Sequence, residues 1–147
     1  MDNKVRIFCD GFMSVYLGRN KKHFTNGGSV CVVRDNKIIY LKRNRIKIYK
    51  LPYQLALFSN PDSKEFVFTN NVAEYFALYT AIPVAKQYGS SIIYSDSQTI
   101  VNQVNGLYRV NAENLKIWNR YVRKSLRGTN IKVFWIGRKK IIKLIGH

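Results

Sequence analysis

The hydrophobic positions along this chain change period several times, and each change marks an element. Val5 to Cys9 is a short apolar run ending at Asp10-Gly11 and reads as a strand. Gly27-Gly28 opens a second strand over Ser29 to Arg34, and Asp35-Asn36-Lys37 is the turn into a third, from Ile38 to about Ile48. Residues 49–68 contain Pro52, Pro61 and the turn-like Asn60-Pro61-Asp62-Ser63, and read as loop with some extended structure. The period then becomes helical. Ala73, Ala77, Leu78, Ala81 and Ala85 share a face through to about Tyr88, with Asn71 as N-cap, Glu74 three residues later as in a capping box, and Gly89 as terminator. Pro83 inside this helix should kink or split it.

Ile92 to Ser95 is a buried strand ending at Asp96, followed by a short helix with Ile100, Val101 and Val104 inward and Gly106 as terminator. Asn111 starts another helix, whose Leu115, Trp118, Val122 and Leu126 lie together while its basic residues lie elsewhere. Ile131 to Ile136 is the last strand, and a basic tail follows. The order β-β-β-α-β-α-α-β joins a meander to helix crossovers, so the expected class is α/β, a mixed sheet with helices packed on it.

At 147 residues, 46% of them apolar and without repeats or low-complexity tracts, the chain fits one domain over 1–147 with its own core. No apolar run reaches the ~18 residues of a membrane span, and the first residues lack a signal-peptide layout. Cys9 and Cys31 sit in apolar runs and make neither a zinc ligand set nor a disulfide framework. A cytoplasmic protein with no membrane partner and no organic cofactor is expected.

Charge narrows the function further. The net charge is +17, with 25 Lys and Arg against eight acids. Asn114 to His147 holds ten Lys/Arg and Lys37 to Lys50 six, neither stretch containing an acid. Solubility and the guarding of an edge strand account for some of this excess, but its size makes nucleic acid the principal expected partner.

Against that background, three of the eight acids fall at element boundaries: Asp10, Glu74 and Asp96. Singly, each has a structural role available, as turn residue, capping-box member and helix cap. Together they mark a site, because open α/β sheets gather functional groups at strand carboxyl ends. Clustered carboxylates repel unless a cation neutralises them, and hard oxygen donors suit Mg²⁺ or Mn²⁺.

The flanking residues sharpen this. Thr69-Asn70-Asn71-Val72-Ala73-Glu74, Ser95-Asp96-Ser97-Gln98 and the early Cys9-Asp10-Gly11 resemble the type 1 ribonuclease H family. Ile100 to Gly106 continues like its archaeal-type branch, which lacks the basic handle helix. The similarity runs from about Val5 to Trp135, with 49–68 its least typical part. The resemblance implies a ribonuclease H-like mixed five-stranded sheet in order 3-2-1-4-5. It also implies cleavage of the RNA strand of RNA–DNA hybrids with two Mg²⁺ or Mn²⁺ ions. Asp10, Glu74 and Asp96 are then metal ligands, Asn70, Asn71 and Gln98 contact the hybrid minor groove, Thr69 meets a DNA-strand phosphate, and Gly11 lets the RNA backbone approach.

One part of the family pattern is missing. A fourth acid, an Asp on a helix after the last strand, has no counterpart between Gly137 and His147, nor has the family's mobile histidine. His147, by its ring or by the terminal carboxylate, is the candidate fourth catalytic group. Two alternatives stand beside the hybrid nuclease: a non-catalytic or weakly active hybrid- or duplex-RNA-binding module, and a DNA-directed nuclease of the resolvase or transposase kind.

Overall fold

The structure, a computed structural model, describes residues 4–18, 21–59 and 70–146; for 14–18, 21–25, 48 and 57–59 it describes the backbone alone. Five strands run β1 (Val5–Gly18), β2 (Lys21–Arg34), β3 (Lys37–Arg45), β4 (Ile92–Ser95) and β5 (Lys132–Trp135). The helices are α1 (Tyr53–Ser59), α2 (Asn70–Tyr88), α3 (Gln98–Val104), α4 (Glu113–Leu126) and α5 (Arg138–Ile145), with a 3-10 turn at Ile48–Lys50. The sheet order is β3-β2-β1-β4-β5, as the family resemblance implies. The meander pairs antiparallel, and β1–β4 and β4–β5 pair parallel.

Alternation of side chains divides the sheet between two cores. Ile7, Cys9, Val30, Val32, Ile93 and Val133 point toward α1–α4 and make the larger one. Phe8 and Cys31 point the other way, against Ile141 and Ile145 of α5. The stretch expected to be a basic tail is therefore an amphipathic helix that closes the second face. Residues expected as loop after 48 form the 3-10 turn and α1, because Leu55 is drawn into the main core and is fully buried there.

Helix α2 is buried on most of its circumference, lying between the sheet and α4. It continues unbroken through Pro83. Pro83 is exposed, on the side where water can take the hydrogen bond its ring removes. Asn71, expected as the N-cap, is the helix's second residue, after Asn70.

Beneath α2 lies a polar knot. The Tyr75 hydroxyl donates to Gln103 Oε1 at 2.7 Å and accepts from Asn119 Nδ2 at 3.1 Å, tying α2 to α3 and α4. All three residues are buried, so removing the hydroxyl leaves two amides short of a partner. Tyr75→Phe should destabilise the protein by about 1–3 kcal/mol, read from urea denaturation. An unchanged midpoint would show that water replaces the hydroxyl.

Candidate active site

Asp10 was expected at the end of a strand, but β1 continues to Gly18 alongside β2. What ends near Asp10 is its other neighbour. Strand β4 pairs with β1 only from Ile7↔Ile93 to Cys9↔Ser95, then leaves the sheet as Asp96. Asp10 is thus the first residue of β1 after the parallel pairing ends, beside the chain end of β4. Its side chain is 1% exposed.

Glycines bring the third carboxylate in. Gly11 and Gly28 face each other across β1 and β2. A Cβ on Gly11 would lie 2.5 Å from Ala73 C and Glu74 N, and one on Gly28 would lie 2.4 Å from Ala77 Cα. The two glycines therefore form a flat seat on which α2 rests backbone to backbone. The space left by Gly11, expected to admit RNA, is taken on this side by α2. The seat also fixes Glu74. Its carboxylate does not close a capping box: Oε2 accepts from the Gly11 N–H at 3.2 Å.

Asp96 is similarly released from capping. Ser97 is the N-cap of α3, its hydroxyl accepting from Ile100 N at 3.4 Å. The Asp96 carbonyl instead accepts from Trp135 Nε1 at 3.2 Å, which ties it to β5. Ligand oxygens of Asp10, Glu74 and Asp96 lie within 4.8 Å of one another.

Like charges gathered in a buried place resist ionisation. Burial first, then the Asp96 charge, pushes Asp10 up to about 7. Burial, then Asp10 and Asp96, pushes Glu74 up to about 9. The donor set fits a hard divalent cation, since three carboxylates converge and each is stabilised in its charged form by such an ion.

The raised values set the sign of a pH effect. Between the unfolded values near 4 and the folded ones, the native state holds protons that the unfolded chain has lost. Metal-free protein should therefore lose stability as pH rises from about 5 to 8. Mg²⁺ or Mn²⁺ should restore it, raising Tm more at pH 8 than at pH 5. Thermal melts with chelator and with each ion read this directly, and a metal effect independent of pH would exclude the carboxylates as the binding site.

Two guanidinium groups that charge counting did not single out flank the cluster. Arg138, on the first turn of α5, places Nη1 3.5 Å from Asp96 Oδ2. Arg43 of β3 lies over the Phe12 ring at 5.8 Å. Both line a cavity of about 470 Å³ beside Gly11, Asn70 and Glu74. Their stretches stood out in the sequence as acid-free runs, but nothing in the order of residues distinguishes these arginines from their neighbours.

Asn70 and Gln98 are exposed and Asn71 half-buried, at the first turns of α2 and α3, close in sequence to Glu74 and Asp96. Thr69 and His147 lie outside the described residues. Helix α5 carries no acid, and the residue of it that reaches Asp96 is Arg138. No described helix is long and apolar enough to cross a membrane.

A family model described as reverse transcriptase-like matches residues 60–141. No curated protein matches the chain by sequence. Among solved structures, the ribonuclease H1 of the halophilic archaeon Halobacterium salinarum is 21% identical, with a TM-score of 0.66 over 96% of this chain and 91% of that one. LC11-RNase H1, isolated from compost, is 22% identical with a TM-score of 0.67 over 97% and 90%. The same compost protein in complex with an RNA/DNA hybrid superposes with a TM-score of 0.65 at 21% identity, over 96% and 91%. These likenesses establish a ribonuclease H-like fold.

Proposed function

Because the chain belongs to the reverse transcriptase-like family and has a ribonuclease H-like fold, we propose that it is a divalent-metal-dependent endonuclease cutting the RNA strand of RNA–DNA hybrids. The observation that carries this reading is the convergence of Asp10, Glu74 and Asp96 from three separate elements, in a chain of net charge +17. So basic a protein repels cations everywhere except where acids are concentrated. The hybrid bound by the compost protein of like fold supports the substrate class.

Asp10, Glu74 and Asp96 would hold the cation. When bound, it supplies Lewis acidity, making a water nucleophilic at neutral pH and screening the charge of the scissile phosphate. The chain's own groups do the rest. The Gly11 N–H holds one Glu74 oxygen in place and so orients the carboxylate. Burial keeps the cluster in a low-dielectric setting, where charge–charge terms are strong. Arg138 and Arg43 border the adjoining cavity and offer planar donors to phosphate oxygens, stabilising the negative charge that grows in the transition state. Asn70, Asn71 and Gln98 offer amides suited to the 2′-hydroxyls and base edges displayed in the wide groove of an A-like duplex.

The lack of an acid on α5, together with the Arg138–Asp96 pair, favours one second reading: a hybrid-binding module with weak chemistry. A single assay separates the two. Labelled RNA–DNA hybrid, duplex DNA and single-stranded RNA are incubated with the full chain in Mg²⁺ and in Mn²⁺. The nuclease reading expects internal cuts in the RNA of the hybrid alone. Tight hybrid binding without cuts in either ion supports the module, and cutting of duplex DNA overturns hybrid specificity. If Arg138 acts on the phosphate, Arg138→Ala should lower kcat about 10²-fold with little change in hybrid Kd. A fall in affinity with unchanged kcat would make it a binding group only.

A further inference from the structure

On the flank of the fold, edge strand β3 stands away from α2 and leaves a groove floored by Tyr79 and Thr80. Lys50, the last residue of the 3-10 turn at Ile48–Lys50, lies in its lining. This part encloses about 490 Å³, and Lys42, Arg45, Lys47 and Lys50 line it. Along α2 it continues into a second hollow of about 380 Å³, which shares Lys42, Asn44, Tyr79 and Thr80 and adds Tyr40 and Lys86. Among the described residues, no Asp or Glu lines either part. Next to these lining residues in the chain, Tyr49 stands between Lys47 and Lys50 and is 79% exposed, and Tyr53 at the start of α1 is 78% exposed. Large aromatic rings held in water without core contacts are uncommon, and here two occur within five residues among lysines.

We propose that this groove is a second nucleic-acid site, one that takes single-stranded RNA or DNA. Lysines along both walls follow a phosphate backbone, while Tyr40 and Tyr79 in the lining, and the exposed Tyr49 and Tyr53 adjacent to it in the chain, offer stacking faces. A duplex keeps its base faces inside its own stack, so exposed rings gain nothing from it; unstacked bases do lie on them. An acidic peptide would satisfy the lysines but leave the tyrosines unused, and an anionic membrane favours a flat or convex basic surface over a recess. Arg43 lines both this groove and the cavity beside the carboxylates. A single-stranded extension of a bound hybrid therefore has a continuous basic path from the cluster to the flank. Occupying both sites with one molecule raises affinity without any new contact at the cluster.

The test uses the full chain and three probes: a labelled single-stranded 15-mer of thymidine or uridine, a blunt hybrid, and the same hybrid with a single-stranded tail. Two groove variants are compared with wild type, Tyr49→Ala/Tyr53→Ala and Lys42→Gln/Lys47→Gln/Lys50→Gln. A control, Lys37→Gln/Lys132→Gln/Lys143→Gln, removes the same charge from the start of β3, β5 and α5. All altered residues are exposed on the surface, so the fold is kept. Anisotropy should show single-strand affinity falling about tenfold in each groove variant. The gain from the tail should disappear, while the control and blunt-hybrid binding change less than about threefold. An equal loss in control and groove variants would reduce the effect to general charge and overturn the proposal. So would single-strand binding that survives both groove variants, or a tyrosine-dependent affinity for polyglutamate or anionic vesicles that matches the single strand. Because single-strand binding requires no cleavage, the outcome is independent of whether the carboxylate cluster cuts hybrids.

Discussion

Asp10→Asn should reduce hybrid cleavage by at least about 10³-fold while making the metal-free protein more stable at pH 8. Both effects come from the same crowding. Asp10 is buried, and its ionisation is opposed first by desolvation and then by Asp96. A neutral amide of the same shape removes that opposition, so Tm in chelator rises. The same change takes away a negative oxygen from the donor set and with it the hold on the cation. Affinity for hybrid should stay within about threefold, since phosphate contacts carry most of it. Asp96→Asn should lose activity likewise, and it also releases Arg138 from its 3.5 Å ion pair. Single-turnover cleavage and melts on the same preparations read both quantities. Wild-type cleavage by either variant would remove the cluster from the chemistry. Lost cleavage with lowered stability would show only a damaged fold.

Gly11→Ala is expected to harm stability and activity together. The added methyl would meet the Ala73 carbonyl carbon and the Glu74 nitrogen at 2.5 Å, and backbone cannot swing aside as a side chain does. The first turn of α2 must lift from β1, and Glu74 moves with it, away from the Gly11 N–H that positions it. A cost of about 3 kcal/mol, at the upper part of the range for overpacking, corresponds to a Tm fall of about 10 °C. Gly28→Ala meets Ala77 Cα at 2.4 Å and should cost as much, with a smaller effect on cleavage because the contact lies one turn further from Glu74. Gly137→Ala is the control: nothing lies within 4 Å of its added Cβ, and its φ of −62° suits any residue. Stability unchanged in Gly11→Ala would mean that α2 is not seated on the strands as closely as the glycines indicate.

How far the chain could be read varies by element. The meander, the buried β4 and the amphipathic α4 were legible because their periods are strong and local: Leu115, Trp118 and Val122 do form the buried face of α4. Gly89 and Gly106 do end their helices, at φ +68° and +78°, where an L side chain would be strained. The three carboxylates were legible through the residues around them. Less legible were elements whose form depends on distant partners. Helix α1 exists because Leu55 finds the core, and α5 because Ile141 and Ile145 find Phe8 and Cys31. A short basic stretch with two apolar residues has no reason of its own to be helical.

By itself, the sequence determined the class of fold, the order of its elements apart from the 3-10 turn, α1 and α5, and the identity of the acids, because hydrophobic period and turn chemistry act over a few residues. Tertiary structure alone decided where those acids stand. Asp10 meets the site because β4 leaves the sheet beside it, not because its own strand ends. Glu74 meets it because two glycines, 17 residues apart in sequence and opposite each other across two strands, let a helix backbone settle on the sheet. Arg138 and Arg43 become partners of the cluster, among so many other basic residues, through the packing of α5 and the pairing of β3. Charge is a property of the composition, but the place where charge becomes chemistry depends on distances between residues far apart in the chain, and only the folded sheet sets those.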